Sequence, residues 1–409
     1  MKLMTPAFQV LLVGNYLPDR QTSMQRFAHS LQVKLPDCGV RTDLIRPEPR
    51  FGRLISSPSG LGKWFGYVDK FALFPHVLRR RCRERSRSDR RMVVHICDHS
   101  NSVYSKWLDG VSHLVTCHDL LAVRSALGEI PENPTRWSGR QLQRMIVDGL
   151  KRAHHVTCVS EATRRELLRL SRVPPERTSV VWNGLNYPFA PMPLATARGR
   201  VARLIQALAG AHRAGNDHHG GGDLPRFILS VGANAWYKNK TGVVRAYAEL
   251  RAIQPDCPFL VMAGAPIVPE VHELIAAKGL SGLVFEVVEC SSEDLRALYS
   301  TAELLLLPSL AEGFGWPIIE AQACGCRVVT ADRAPMTEIG GQGTAYCDPR
   351  DPPAIARRVK EVLSEPEATR SERIRMGFEN AARFSSEQNV QAYAGVYQRL
   401  VHRSNGALQ

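Results

Sequence analysis

Short apolar runs alternate along this chain with longer stretches in which apolar residues recur every three or four positions. "FQVLLVGN" (8–15) predicts a buried strand closing on a glycine turn, and "SMQRFAHSLQVKL" (23–35) has helical spacing with Ser23 as its expected N-cap. "RMVVHICD" (91–98), "HLVTCHD" (113–119), "HHVTCVS" (154–160) and "TSVVWNG" (178–184) predict further strands, each giving way to polar residues or glycine. "SEATRRELLRL" (160–170) predicts a helix capped by Ser160. The pattern breaks over the proline-rich "NYPFAPMPLATARGR" and the glycine-rich "AGNDHHGGGDLPR", with a short helix expected in "VARLIQALAGAH" between them. A second series follows: "RFILSVG" (226–232), "PFLVMAG" (258–264), "GLVFEVV" (282–288), "AELLLLPS" (302–309) and "CRVVTAD" (326–332). Helical stretches such as "KTGVVRAYAELRAI" and "SEDLRALYSTA" separate them, and the end of the chain is helical.

Strand–helix alternation in both halves predicts two α/β domains with doubly wound parallel sheets. We expect a first domain over 1–190, a connection over 186–225, and a second domain over 226–385. A C-terminal helix, 386–409, is expected to pack back on the first domain. Such sheets bind ligands at the carboxyl ends of their strands, so two of them facing each other make a cleft.

Composition narrows the picture modestly. A chain of 409 residues, 44% hydrophobic and 22% charged, suits two folded domains. The net charge of +14 points to an anionic partner: nucleic acid, a phosphorylated substrate or a membrane surface. No nucleic-acid motif accompanies it. The N-terminal stretch reads as a first strand rather than a signal peptide, because Pro6 and Gln9 interrupt its apolar run. No apolar stretch approaches the roughly 20 residues that span a bilayer. The ten cysteines are scattered, several in strand-like runs, as small buried hydrophobes in a reducing compartment. Cys324 and Cys326 lack zinc-site spacing, and no metal is expected.

The most informative stretch is "SLAEGFGWPIIEAQACG" (309–325). It follows a buried strand, so its loop opens at the carboxyl edge of the sheet. Pro317 fits the first turn of a helix, and Gly325 can end it. Gly313 and Gly315 leave amides beside the positive end of that helix, which makes an anion site suited to a diphosphate. Glu312 in the loop and Glu320 on the helix can accept hydrogen bonds from paired sugar hydroxyls. The same residues also serve as ordinary turn glycines and solvated carboxylates, and residue types alone leave both readings open.

The segment "EGFGWPIIEAQACG" closely resembles the E-x7-E signature of retaining GT-B glycosyltransferases of family 4. "ILSVGANAWYKNKTGVVRAYAEL" is similar to the family's opening of the second domain, "VSEATRREL…VPPERTSVVWNG" to its closing part of the first, and "HLVTCHDL" to its His-Asp segment. In order and spacing these pieces cover most of the chain. The resemblance implies a GT-B fold: two Rossmann-like doubly wound parallel-sheet domains facing a cleft. It implies that Glu320 binds the donor ribose, and that Glu312, Gly313, Phe314 and Gly315 hold the donor hexose and its developing charge. Lys238 grips the diphosphate, and His118, followed by Asp119, lies near the donor sugar. Asp98, His99 and Ser100, at the end of another strand, are expected to line the acceptor side.

Two departures stand out. Ala233 occupies a position where many members have Arg, which leaves Lys238 as the main cation with Lys240 or another Arg assisting. The N-terminal loop is "NYLPDRQTSMQRF", keeping Gly14 as a substrate-side residue but lacking the family's Gly-Gly pair. The resemblance implies transfer of a hexosyl group from a nucleotide-diphosphate sugar with retention, without metal or other cofactor. The acceptor is then a glycan or lipid-linked molecule of cell-envelope or exopolysaccharide synthesis, in the cytoplasm at the inner face of the membrane. "LGKWFGYVDKFALFPHVLRRRCRERSRSDRR" (61–91) bears on this. Trp64, Phe65, Tyr67, Phe71 and Phe74 precede eight arginines in 79–91, and the segment reads either as a peripheral contact with anionic membrane or as a packed helix with its arginines in water. Two rival functions remain: a synthase using a small soluble acceptor, and a catalytically weak sugar-nucleotide-binding or scaffold protein, favoured only by Ala233.

Overall fold

A computed structural model describes residues 8–52, 61–88, 91–205 and 224–406. The chain forms two compact units: Met1–Asn186 with Ser386–Gln409, and Tyr187–Ser385.

The first unit is built on six parallel strands: β1 Phe8–Val13, β2 Val40–Ile45, β3 Met92–Ile96, β4 His113–Cys117, β5 His155–Cys158 and β6 Thr178–Val180. They lie in the order β2-β1-β3-β4-β5-β6. Side chains alternate across the pleat, and both faces are covered, as a parallel sheet requires. Leu11, Val13, Val94, Ile96 and Val115 share one core with Phe74, Leu78 and Leu150. Val10, Leu12, Val93 and Leu114 share the other with Phe27, Leu31, Tyr393 and Tyr397. Tyr393 and Tyr397 belong to the last helix, Ser386–Gly406. The Tyr397 hydroxyl is 2.8 Å from His95 Nδ1, and the Tyr393 hydroxyl is 2.9 Å from Thr116 Oγ1, which also contacts His95 Nε2 at 2.7 Å. A fully buried polar cluster thus fastens this helix to β3 and β4.

The second unit repeats the architecture with β7 Phe227–Gly232, β8 Phe259–Gly264, β9 Val284–Val288, β10 Leu304–Leu307, β11 Val328–Ala331 and β12 Thr344–Cys347. The order is β12-β11-β10-β7-β8-β9. In each sheet the chain fills one side and then the other, so the direction reverses once, between β1 and β3 and again between β7 and β10.

Sequence patterning misses β2 and β12, both edge strands. In β2, only Val40 is fully buried, and Arg41 and Asp43 break the apolar run. β12 has four residues, pinched between Gly343 and Asp348. Ser23 is not the N-cap of its helix: Thr22–Lys34 starts after Gln21, with no side-chain cap. Ser160 does cap its helix, accepting from Thr163 N–H at 3.1 Å. The segment expected as a connection carries the helix Leu194–Leu204, which belongs to the second unit and pairs Arg200 with Asp294. The remainder of "VARLIQALAGAH" and the "NDHHGGGD" loop lie outside the described residues.

The aromatic and arginine-rich stretch forms two helices, Leu61–Val68 and Phe74–Ser88, joined by a π-helical turn over Asp69–Leu73. Phe74, Leu78 and Cys82 recur every four residues and enter the core, while Arg79, Arg80, Arg81 and Arg83 are exposed. The side chains of Trp64, Arg87 and Arg90 lie outside the described residues. Among the described residues no helix is long and apolar enough to cross a membrane.

Candidate functional site

Both reversal points carry expected site residues at the carboxyl ends of strands. That is where neighbouring loops diverge in opposite directions and leave a crevice.

In the second unit, Lys238 follows β7 and Glu312 follows β10. Gly232 ends β7; a Cβ there would come within 3.2 Å of the Lys238 stem, so glycine lets the lysine lie back over the strand end. Lys238 Nζ is 2.6 Å from Glu312 Oε1, with the two side chains only 14% and 8% exposed. Ser309 Oγ donates to the same oxygen at 2.8 Å. Asn239, in the left-handed conformation at φ 55°, starts the helix Lys240–Ile253. Its amide donates to the carbonyls of Pro308 (2.9 Å) and Pro349 (2.8 Å), tying the loops after β10 and β12 to this turn.

The helix Trp316–Ala323 begins after Gly315, whose φ of 101° favours glycine, and carries Pro317 in its first turn. Glu320 sits on the second turn, buried, and accepts from the Tyr299 hydroxyl at 3.0 Å. Burial and the adjacent carboxylate push the Tyr299 hydroxyl well above its ordinary pKa, so it remains a donor. Phe314 is a packing residue: it is buried edge-on to Trp316 and Phe384, both with centroids 5.7 Å away. Its side chain therefore faces the core, leaving its backbone as its available contribution. Lys240, expected to assist Lys238, donates instead to the Ala265 carbonyl at 2.9 Å, and burial lowers its pKa.

In the first unit, Asn15 follows β1 and Asp98 follows β3. The Asn15 amide donates to both Asp98 and Gln21. Asp98 caps the turn after β3, accepting from Ser100 N–H (2.9 Å) and Ser100 Oγ (2.8 Å), and lies 3.2 Å from His99 Nδ1. Burial alone would raise the Asp98 pKa; His99, His118 and the donated hydrogen bonds hold it below the usual carboxylate range. His118, after β4, donates from Nε2 to the Cys97 carbonyl at 2.9 Å and receives Phe27 edge-on at 4.9 Å. Its Nδ1 is buried without a hydrogen-bond partner among the described residues. Burial lowers the His118 pKa, so the ring stays neutral with a lone pair on Nδ1. Asp119 accepts from Leu121 N–H at 3.0 Å and shapes the following turn. Gly14 donates to the Ile45 carbonyl at 2.8 Å, and a Cβ there would press on Leu44 at 3.2 Å.

Each sheet therefore brings its own subset together: Lys238, Glu312 and the Gly315 helix start in one, and Asp98, His99, Ser100 and His118 in the other. Ser309, Tyr299, Asn239 and Asn15 were not singled out by sequence. Ser309 and Asn239 stand inside quoted motifs, but Tyr299 meets Glu320 from 21 residues away, beyond any local pattern. Among the described residues no group of three or more His, Cys, Asp or Glu is disposed to hold a metal ion.

Comparison with known proteins gives two family matches: "Glycosyltransferase Family 4" over residues 24–187 and "Glycosyl transferases group 1" over 218–381. A D-inositol 3-phosphate glycosyltransferase of Mycolicibacterium vanbaalenii is 29% identical over 317 residues, covering 73% of this chain and 64% of that protein. An alpha-D-kanosaminyltransferase of Streptomyces kanamyceticus is 27% identical, covering 98% of this chain and all of the relative (100%). Among solved structures, sucrose-phosphate synthase from Thermosynechococcus elongatus superposes with a TM-score of 0.70 at 18% identity, covering 97% of this chain and 100% of its own. Anabaena HepE in complex with UDP and glucose superposes at 0.68 and 16% identity, covering 96% and 100%. These likenesses match the two six-stranded parallel sheets and give the fold as GT-B. With both family models matched in chain order across the two units, the chain belongs to the group 1 glycosyltransferases of family 4.

Proposed function

We propose that the protein transfers a hexosyl group from a nucleotide-diphosphate sugar to a glycan or lipid-linked acceptor, with retention at the anomeric carbon. The observation that carries this reading is the Lys238–Glu312 pair at the β7/β10 reversal, beside a helix start opened by Gly315. A lysine, loop amides and a helix N-terminus form a site for the donor diphosphate. Glu320, held by Tyr299, accepts from the ribose hydroxyls; Glu312 and the backbone of Gly313, Phe314 and Gly315 hold the hexose. Within the first unit, neutral His118, its Nδ1 unpartnered among the described residues, is the candidate to accept from a sugar hydroxyl.

In the reaction the acceptor hydroxyl oxygen bonds to the anomeric carbon as the bond from that carbon to the diphosphate oxygen breaks. The hydroxyl proton passes to the leaving diphosphate, so no protein nucleophile is needed. The protein's part is orientation and stabilisation of charge on the leaving group. The kanosaminyltransferase and D-inositol 3-phosphate relatives support hexosyl-type transfer. The basic surface along Arg79–Arg83 supports placement of the acceptor in envelope or exopolysaccharide synthesis at an anionic membrane face.

The test is thermal unfolding of the purified protein with UDP, GDP, ADP and dTDP in turn. A ligand that binds only the folded state, present at about 100 times its dissociation constant, adds about 2.7 kcal/mol. One nucleotide is expected to raise the midpoint, and Glu320→Ala to abolish the rise. No response to any of the four would favour the scaffold reading, for which Ala233 is the single supporting feature.

A further inference from the structure

A cavity of about 550 Å³ opens in the first unit at the carboxyl end of β2, between the loop that follows it and the helix Phe74–Ser88. Its size is that of a small-molecule site. Four arginines line it, Arg46 and Arg50 from the loop and Arg80 and Arg81 from the helix, against two acids, Glu48 and Asp69. Asp69 is already engaged: its carboxylate accepts from Phe51 N–H (3.0 Å), Gly52 N–H (2.9 Å) and the Tyr16 hydroxyl (3.0 Å). Arg46 is half-buried, and neither its guanidinium nor that of Arg50 has a hydrogen bond or ion pair among the described residues. Among the described residues Arg80 and Arg81 pair only with Glu84 of their own helix, an exposed pairing of small worth.

The walls are built rather than incidental. Asp69 lies in the π-helical turn, a feature that recurs at functional sites, and staples the β2 loop to this helix and to Tyr16 after β1. Gly66 lets the helix approach the Tyr16 ring, where a Cβ would lie 3.4 Å away. Burial and the Asp69 carboxylate push the Tyr16 hydroxyl up to about 12, so it stays a donor to Asp69. Lys70 closes the corner, paired with Asp19 at 2.9 Å and lying over the Tyr16 and Tyr67 rings.

We propose that this cavity is an acceptor subsite that binds a phosphate monoester or diphosphate carried by the molecule to be glycosylated. Arginine forks match phosphate oxygens two at a time, and the arginines outnumber the two acids by two charges, which suits a dianion. The inference rests on the glycosyl-transfer reading for the word acceptor, but the phosphate site can be tested apart from it.

The full chain is titrated calorimetrically with inorganic phosphate at ionic strength held constant with chloride, and in parallel with UDP, GDP, ADP and dTDP. Arg46→Gln combined with Arg80→Gln is expected to weaken phosphate at least ten-fold and leave nucleotide binding unchanged. Lys238→Ala is expected to do the reverse. Arg46→Lys, which keeps the charge without the fork, is expected to weaken phosphate less than the double variant, and far-UV circular dichroism checks that each variant is folded. Phosphate affinity equal in wild type and the arginine double variant overturns the proposal, as does phosphate binding lost only with Lys238→Ala. If no nucleotide binds while phosphate still depends on Arg46, the donor reading fails and the cavity stands. Vesicles of phosphatidic acid in phosphatidylcholine separate the sources. Arg46-dependent vesicle binding identifies a lipid phosphate, and phosphate binding without it identifies a soluble one.

Discussion

Acidification should loosen the first unit through one imidazole. His95 is wholly inaccessible in the middle of β3, between Thr116 and Tyr397. Burial, with a smaller contribution from His118, lowers its pKa to about 3, against an ordinary histidine value of about 6.5. Between these values the unfolded chain takes up a proton that the folded chain refuses. Its contribution is therefore complete above about pH 6.5 and lost progressively as pH falls towards about 3. Each unit of pH inside that window is worth about 1.4 kcal/mol, so at about pH 5 His95 alone costs about 2 kcal/mol. The assay is urea unfolding of wild type and His95→Gln at about pH 7.5 and about pH 5. The variant should be less stable at neutral pH by about 1–3 kcal/mol, from imperfect hydrogen bonding in a buried site. The gap should then close by about 2 kcal/mol at the lower pH, because the variant has no ring to protonate. Other histidines are common to both proteins and cancel. A gap that stays constant between the two conditions would refute the reasoning.

Tyr299→Phe removes a donor from the buried Glu320 carboxylate, and should cost about 1.5–3 kcal/mol of stability and raise KM for the donor more than it lowers kcat, read from steady-state kinetics and denaturant melts. Lys238→Ala should lower kcat by about 100-fold, as loss of one charge-stabilising donor does, while Lys238→Arg retains part of the rate. Phe314→Ala should cost about 3–5 kcal/mol by opening the packing against Phe384 and Trp316, a loss seen in melting whether or not donor is present. Gly315→Ala should slow turnover by straining the helix start at φ 101°, and near-wild-type kinetics would exclude that start from the site.

Strands buried on both faces advertise themselves, and β1, β3, β4, β7, β8 and β10 were legible for that reason. β2 and β12 were not, since an edge strand needs apolar residues on fewer positions and Arg41 and Asp43 of β2 read as loop. The residues at the two reversals were also legible, because a strand end, a glycine and a charged residue fall within one short segment. What those residues touch was not. Phe314 turns inward and Lys240 turns to Ala265, choices made by neighbours distant in sequence. The engagement of the Asp98 carboxylate by Asn15, Ser100 and His99 likewise depends on Asn15, 83 residues away. Tyr299 and Tyr393 looked like ordinary apolar positions of helices, and only the folded arrangement gives their hydroxyls a purpose.

The chain leaves the first unit after Asn186 and returns to it at Ser386. The later segment supplies Tyr393 and Tyr397, whose rings fill one face of that unit and whose hydroxyls satisfy Thr116 and His95. During synthesis on the ribosome, the unit that begins first is thus completed last. Residues 187–385 have their whole sequence available while β3 and β4 still display an uncovered polar cluster. A nascent chain halted before residue 386 therefore holds one finished unit and one with an open face, the kind of surface that chaperones recognise and that aggregates when left waiting.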